Sequence, residues 1–319
     1  MNESGWNVKW FNQAPVDYLG VIVYLARRSE LYKLNMSLLS LRRYLRKPRP
    51  VVIFHDDDLN DIGIQLALAK TLRSDIPLGF EHIRFPAQTN IAHDHDRYPL
   101  GYHHMCQFFA IMLPHHPLLT NMFTYYWRLD SDSHLLGPPL VDDLFDYMNE
   151  KRLQYAFVMV EVDASEYVQG LWELFHQFLA RLCLKPSMAV KKTQTSFFSG
   201  YSYSIFYNNF ELSNASMWRD ESSIAGWLRQ VDEAKGIYSH RWGDAPIHTL
   251  AVTQFVERDR VVKISDLGYF HRREYVCADE VRSCVVPTHL EASANRPFPR
   301  GCHPVTNPLC QYYPEKRGK

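Results

Sequence analysis

Three Asp-x-Asp triplets carry the most obvious capacity for chemistry in this chain: Asp56-Asp57-Asp58, Asp94-His95-Asp96 and Asp130-Ser131-Asp132. Two carboxylates two residues apart in an irregular turn can approach one divalent cation or its bound waters, and a cation held in that way can face a diphosphate. Chance alone supplies roughly one such triplet in a chain of this composition, so context has to decide. The third triplet is delivered by an aromatic strand, Tyr125-Tyr126-Trp127-Arg128-Leu129, and a turn with Gly137-Pro138-Pro139 follows it. It is open between a cation-and-diphosphate site and a solvated strand-to-loop turn. The first triplet reads as a solvated turn or helix start before Ile62.

The segment His93-Asp94-His95-Asp96 and the pairs His103-His104 and His115-His116 also gather metal-ligand types. They lack the i,i+4 helical spacing of zinc proteases and any paired C-x-x-C, and Asn90, Arg97 and Pro99 around the first of them suggest an exposed loop. Arg241-Trp242-Gly243-Asp244-Ala245-Pro246 is dense in special residues and reads as a turn that starts a helix, with Asp244 capping it ahead of Ile247, Leu250 and Ala251. Glu211, after Asn208-Asn209-Phe210, reads as a hairpin exit. His271 follows the aromatic run Tyr269-Phe270 and, taken by itself, reads as structural.

Positioning such residues needs a frame, and the hydrophobic pattern supplies one. Val21-Ile22-Val23-Tyr24-Leu25 is apolar on both faces, as in an interior parallel strand. Leu31, Leu34, Leu38, Leu41 and Leu45 then mark an amphipathic helix with Ser29 as its expected N-cap, and Pro48 and Pro50 precede a second strand, Val51 to Phe54. Strand, helix, strand is a βαβ unit, whose ligands bind beyond the carboxyl ends of the strands. Further strands are expected at Tyr125–Leu129 and Ala156–Val162, helices around Val141 to Met148 and Val168 to Leu182, and paired strands between Phe197 and Phe210. With no internal repeat and no long linker, the pattern predicts one α/β domain over residues 1–319, with a Cys- and Pro-containing tail from 277 to 319.

Composition narrows the function. The 319 residues carry 35 Lys and Arg against 35 Asp and Glu, and zero net charge argues against a nucleic-acid partner, which needs a basic surplus. At 46% hydrophobic and 14% aromatic, the chain is not of the disordered class. Its longest apolar run, Tyr18 to Ala26, is less than half of a bilayer span. No signal-peptide layout opens the sequence, which leaves either a cytosolic protein or a targeting segment outside it. Four of the six cysteines, Cys277, Cys284, Cys302 and Cys310, cluster near the C-terminus beside Pro, Gly and Asn, which favours disulfides and an oxidising compartment; Cys106 and Cys183 lie earlier. Sequons at Asn2, Asn35 and Asn214 agree with that compartment without requiring it.

Taken in order, several segments resemble glycosyltransferase family 15, the fungal α-1,2-mannosyltransferases of the Golgi. They are Leu25-Ala26-Arg27 with Ser29-Glu30-Leu31, Tyr102-His103-His104-Met105-Cys106, His116-Pro117-Leu118-Leu119, and Tyr126-Trp127-Arg128 leading into Asp130-Ser131-Asp132. Asn209-Phe210-Glu211-Leu212, Met217-Trp218-Arg219, Arg241 to His248 and Asp266 to His271 complete the match, which runs from about residue 21 to 277. The family's Glu-Pro-Asp is Asp130-Ser131-Asp132 here, one methylene shorter at the first carboxylate, and His103 stands where an Arg is usual.

The resemblance implies a GT-A fold with a Rossmann-like nucleotide-binding half and an acceptor half. It implies retaining transfer of mannose from GDP-mannose, with Mn²⁺, to a hydroxyl of a mannose-containing glycan or glycoprotein, in the Golgi lumen, with membrane attachment only through an anchor this sequence does not contain. By position, Asp130, Asp132 and His271 match the metal and donor motif, and Arg27 and Tyr102 the nucleotide side. Glu211 matches the family's proposed nucleophile, which could attack the anomeric carbon or stabilise an oxocarbenium-like transition state. Asp244 matches a residue suited to orient or deprotonate the acceptor hydroxyl. Two rivals stand beside this reading: a carbohydrate-binding pseudoenzyme of the same fold, permitted by the substituted Glu-Pro-Asp, and a metal-dependent hydrolase built on His93 to Asp96.

Overall fold

A computed structural model describes residues 8–85, 98–139, 141–163, 165–196, 201–272, 274–276, 296–297 and 308–313. The segment from His93 to Asp96, Asn2, Cys277, Cys284 and Cys302 lie outside them. In chain order the strands are β1 (Lys9–Phe11), β2 (Gly20–Leu25), β3 (Val51–His55), β4 (Leu78–His82), β5 (Tyr125–Leu129), β6 (Ser133–Leu135), β7 (Tyr155–Phe157), β8 (Val160–Asp163), β9 (Gln194–Ser196), β10 (Tyr201–Phe206), β11 (Phe210–Asn214), β12 (Val261–Lys263), β13 (Tyr269–His271), β14 (Glu274–Val276) and β15 (Arg296–Pro297).

The largest sheet has eight strands in the order β1-β4-β3-β2-β5-β11-β7-β12. Strands β4, β3, β2 and β5 run parallel, β11 runs antiparallel to β5 and β7, and β12 returns parallel to β7. Side chains alternate across it: Val21 and Val23 enter one apolar layer, Ile22 and Tyr24 the other. The first layer packs against the helices Leu171–Arg181, Ser222–Ala234 and Asp244–Phe255, and the second against Leu31–Tyr44 and Leu144–Glu150. Both faces are therefore covered, which is why β2 reads as an unbroken apolar run. A smaller sheet, β8-β10-β9, and a ribbon, β15-β14-β13-β6, lie apart from this frame in the pairing order.

Several local expectations change. Ser29 does not cap the first helix; it falls in a short 3-10 turn, Arg28–Glu30, from which the helix continues at Leu31. The strand expected over Ala156–Val162 divides into β7 and β8, which join different sheets. In the stretch from Phe197 to Phe210, expected as paired strands, the described residues hold one full strand, β10, which pairs with β8 and β9, while β11 begins at Phe210 and enters the large sheet between β5 and β7. Within the tail, Arg296–Pro297 pairs with β14, and a short helix, Pro308–Tyr312, buries Leu309 and the adjacent Tyr313. Cys106 and Cys183 are free thiols, whereas Cys310 is disulfide-bonded.

Candidate active site

The strand order reverses on either side of β2, where β3 lies to one side and β5 to the other, and ligands of open α/β sheets bind at such a switch point. A cavity of about 1060 Å³ opens there, lined by Leu25, Ala26 and Arg27 beyond β2 and by Asp130, Ser131 and Asp132 beyond β5. Arg27, Tyr102, Asp130, Asp132, Asp244 and His271 all line this cavity, and Glu211 is not among its lining residues.

Asp130 opens a tight turn closed by the Ser133 N–H donating to the Asp130 carbonyl at 2.9 Å. The turn feeds β6, and β6 pairs with β13 so that Ser133 lies opposite His271. That register is what brings His271 to the two aspartates. One ligand atom from each of Asp130, Asp132 and His271 lies within 4.8 Å of the others. The His271 Nε2 stands 3.1 Å from an Asp132 oxygen and 3.5 Å from an Asp130 oxygen, yet neither approach has the alignment of a hydrogen bond, so this buried nitrogen is left without a hydrogen-bond partner. On the other side of the ring, Nδ1 faces the Asn209 amide at 2.7 Å and the Tyr207 hydroxyl at 3.2 Å. Burial alone would raise both carboxyl pKa values; Arg128 and His271 beside Asp130, and His271 and Lys33 beside Asp132, overcome it and hold both groups below the ordinary carboxylate range. For His271, burial opposes the charged form and the two carboxylates outweigh it, so its pKa is raised. Two carboxylates and an imidazole suit a divalent cation of the Mn²⁺ kind and leave further positions to other oxygens.

A second group adjoins the first. Arg128, buried on β5, donates to Asp244 and to Asp130, the latter at 3.2 Å, and lies over the Phe109 ring at 3.5 Å. The Asn208 amide also donates to Asp244, at 2.9 Å. Asp244 is therefore not a helix cap as expected: Gly243 occupies the N-cap position without a side-chain bond, and the Asp244 carboxylate is drawn to Arg128 instead. A charge-assisted bond to a buried guanidinium is stronger than a neutral capping bond. Arg241, two residues before the cap, has a left-handed backbone at φ 62°. Its guanidinium donates to the Tyr102 hydroxyl at 2.5 Å and sits over the Tyr98, Tyr102 and Tyr167 rings at 4.4, 4.9 and 3.8 Å. Gly236 is needed behind it, because a Cβ there would come within 2.2 Å of the Trp242 ring.

Glu211, which the family resemblance places at the reacting carbon, lies on β11 and is not among the residues lining the cavity. It pairs with Arg128 across β5 and β11, and its carboxylate takes hydrogen bonds from Tyr126 at 2.5 Å and Tyr155 at 3.1 Å and contacts His248 Nδ1 at 2.8 Å. The His248 Nε2 faces the Ala110 carbonyl at 3.2 Å and the ring stacks on Trp218 at 4.0 Å. Burial raises the Glu211 pKa, but His248, Arg128 and Tyr126 more than reverse this and keep it below the usual range.

The histidine pairs join no metal-ligand group among the described residues, although His104 lines the cavity. His103 Nδ1 faces the Ile237 carbonyl at 2.7 Å, His104 stacks on Phe85 at 4.5 Å, His115 Nδ1 faces the Ile111 carbonyl at 2.9 Å, and His116 accepts from the Leu118 N–H. Among the described residues, Asp130, Asp132 and His271 form the one group of three or more that could hold a metal ion. In the first triplet, Asp57 and Asp58 fall in a 3-10 turn, Asp57–Leu59, and Asp61 caps the helix that starts at Ile62. Residue-by-residue reading missed the roles of Arg128, Asn208, Arg241, Lys33 and His248. For Arg128 a signal was present: a charge in the middle of an aromatic strand has to be paired.

A Rossmann-like sheet with an acidic turn at the switch point is the GT-A glycosyltransferase architecture, and solved structures share it. Core-mannan synthase A from Aspergillus fumigatus, in a Mn/GDP form, superposes with a TM-score of 0.76 at 23% identity over 91% of this chain and 84% of that one. The mannosyltransferase Ktr4p from Saccharomyces cerevisiae, in complex with GDP, does so with a TM-score of 0.74 at 23% identity over 87% and 80%. A family model described as glycolipid 2-alpha-mannosyltransferase matches residues 83–294, and the chain belongs to that family, glycosyltransferase family 15. Relatives include glycolipid 2-alpha-mannosyltransferase 2 of Candida albicans, 29% identical over 81% of this chain, and the glycolipid 2-alpha-mannosyltransferase of S. cerevisiae, 28% identical over 78%. The chain spans 59% and 60% of the lengths of these two relatives.

Proposed function

We propose that this chain transfers a mannosyl group from GDP-mannose, with Mn²⁺ and with retention, to a hydroxyl of a mannose-containing glycan or glycoprotein, forming an α-1,2 linkage. The observation that carries the reading is the convergence of Asp130, Asp132 and the buried His271 Nε2 at the wall of the switch-point cavity. The Mn/GDP form and the GDP complex of the two structural neighbours support the donor and the cation. Asp130, Asp132 and His271 would hold the ion, which when bound supplies charge neutralisation for a departing diphosphate. Arg27 and Tyr102 then belong to the nucleotide side.

Among the carboxylates, we assign contact with the reacting sugars and the acceptor hydroxyl to Asp244, which lines the cavity and is aimed by Arg128 and Asn208. Glu211 acts from behind it as a positioning residue, holding the charge of Arg128 in place through the β5–β11 register. We read residues 1–319 as one GT-A-like domain with 277–319 as a tail on it, a reading supported by the burial of Leu309 and Tyr313. The Cys310 disulfide supports an oxidising lumen such as the Golgi. No described helix is long and apolar enough to cross a membrane.

A screen of nucleotide sugars against mannoside acceptors, with Mn²⁺ and with chelator, tests the proposal. GDP-mannose should support transfer that the chelator abolishes. Transfer from a different nucleotide sugar would overturn the donor assignment, and binding of GDP and Mn²⁺ without turnover of any donor would make the chain a carbohydrate-binding pseudoenzyme.

A further inference from the structure

Asp132 is engaged from two sides. One oxygen faces His271 Nε2 at 3.1 Å, and the other takes a hydrogen bond from the Lys33 ammonium at 3.3 Å. Lys33 stands in the first turn of the helix Leu31–Tyr44, where the helix dipole disfavours a cation, so its placement is not explained by the helix itself. Its side chain is 55% exposed against 22% for Asp132, and both line the cavity. An ammonium on a flexible four-carbon stem can leave one acceptor for a neighbouring one without moving the backbone. A divalent cation and this ammonium compete for the same carboxylate, and two positive charges so close repel.

We propose that Lys33 is a tethered counter-cation for the donor site: it neutralises Asp132 in the free protein and passes to a diphosphate oxygen when a divalent cation takes that carboxylate. The inference rests on the reading of the cavity as a nucleotide-sugar site and adds to it a residue with two alternating partners. Because the swap removes a competitor and supplies a phosphate contact, it demands opposite changes in two binding steps, which a merely structural lysine would not give.

The test is calorimetric titration of the intact protein with Mn²⁺ alone, and with GDP at saturating Mn²⁺, for the wild type, Lys33→Met and Lys33→Arg. Lys33→Met should bind Mn²⁺ alone about two- to fivefold more tightly, and GDP with Mn²⁺ weaker by a similar factor, the scale of a partly exposed ion pair. Lys33→Arg, which keeps the charge, should restore most of the GDP affinity. The proposal is overturned if Lys33→Met changes neither affinity or moves both in the same direction. Wild-type protein that bound neither Mn²⁺ nor GDP would overturn the donor-site reading, and the counter-cation role with it. Wild-type binding of both, with no opposed shifts in the variant, would overturn the role of Lys33 alone.

Discussion

Asp130 directly follows β5 and Glu211 lies on the neighbouring β11, and the chain treats their carboxylates in opposite ways. Glu211 is 1% exposed, and two tyrosine hydroxyls and an imidazole close around it. Asp130 and Asp132 keep 24% and 22% of their side-chain surface, and the imidazole between them has a nitrogen without a hydrogen-bond partner. In the first place the protein closes the carboxylate off with its own groups, which builds a frame; in the second the carboxylates, though paired with Arg128, His271 and Lys33, keep part of their surface toward a cavity where a ligand can reach them. An acid that is buried and fully partnered stabilises the fold through its partners, whereas carboxylates and an imidazole gathered at a cavity wall can also hold a ligand.

Removing Glu211 should therefore have the largest effect, and on folding. Glu211→Ala leaves the His248 ring and two tyrosine hydroxyls without their acceptor and removes a buried charge that faces Arg128, and breaking such a buried charged network costs about 3–5 kcal/mol. Urea denaturation should show that loss. Glu211→Gln keeps an acceptor oxygen for a tyrosine and should lose less. If Glu211→Gln instead melts like the wild type and binds GDP normally but does not turn over, the contrast fails, and Glu211 belongs to the reacting carbon as the family resemblance implies.

Asp244 tests the cavity side of the same contrast. Asp244→Asn preserves shape and can still meet Asn208 and Arg128 through its amide, so GDP affinity should change little while turnover falls about a hundredfold or more. Steady-state kinetics on matched folded protein would check this. A loss confined to KM would mean that Asp244 binds substrate without serving the transition state.

For the metal turn, His271→Ala should weaken GDP binding in the presence of Mn²⁺ by about tenfold or more and leave cation-free GDP binding nearly unchanged. Equal losses in both conditions would make His271 a structural histidine, which is what its place after Tyr269-Phe270 suggests when read alone.

That last point shows where sequence reasoning stops. β2, β3 and β5 were readable because buried parallel strands demand continuous apolar residues, and the helix of Leu31 to Tyr44 because Leu34, Leu38 and Leu41 recur on one side and are all buried. Local pattern could not divide the run from Tyr155 to Asp163 into β7 and β8, since apolar residues continue without interruption from Tyr155 to Val160 and the break is set by which sheet each half joins. Nor could it place His271, because the pairing of β6 with β13 brings it to Asp132 from a distant part of the chain. The pairing of Asp244 was hidden for the same reason: its partner Arg128 is 116 residues away, and capping was the only local use in sight. Family resemblance located Asp130, Asp132 and His271 by order and spacing, but it carried no information on what surrounds Glu211.

Glu161 supplies the smallest effect and a third treatment of a carboxylate. It lies on β8 at the cavity wall, and burial, followed by the nearby Glu274, pushes its pKa up to about 7. This is the reverse of Glu211, Asp130 and Asp132, whose pKa values are all lowered. The sign of the pH dependence follows. In the unfolded chain Glu161 releases its proton near the ordinary glutamate value, about 4.3, while in the fold it keeps that proton up to about pH 7. Across this window the folded state binds more protons, so the contribution of Glu161 to stability declines as pH rises and levels off above 7. Glu161→Gln is uncharged throughout and should remove that decline, leaving a variant more stable than the wild type at pH 8 but not at pH 4.5, as urea midpoints measured across the range would reveal. Glu211 gives the opposite slope, its contribution being complete above the ordinary carboxylate range and lost only as pH falls below it. A wild type whose midpoint does not change between pH 4.5 and 7 relative to Glu161→Gln would mean that Glu161 is ionised and answered within the fold, as Glu211 is.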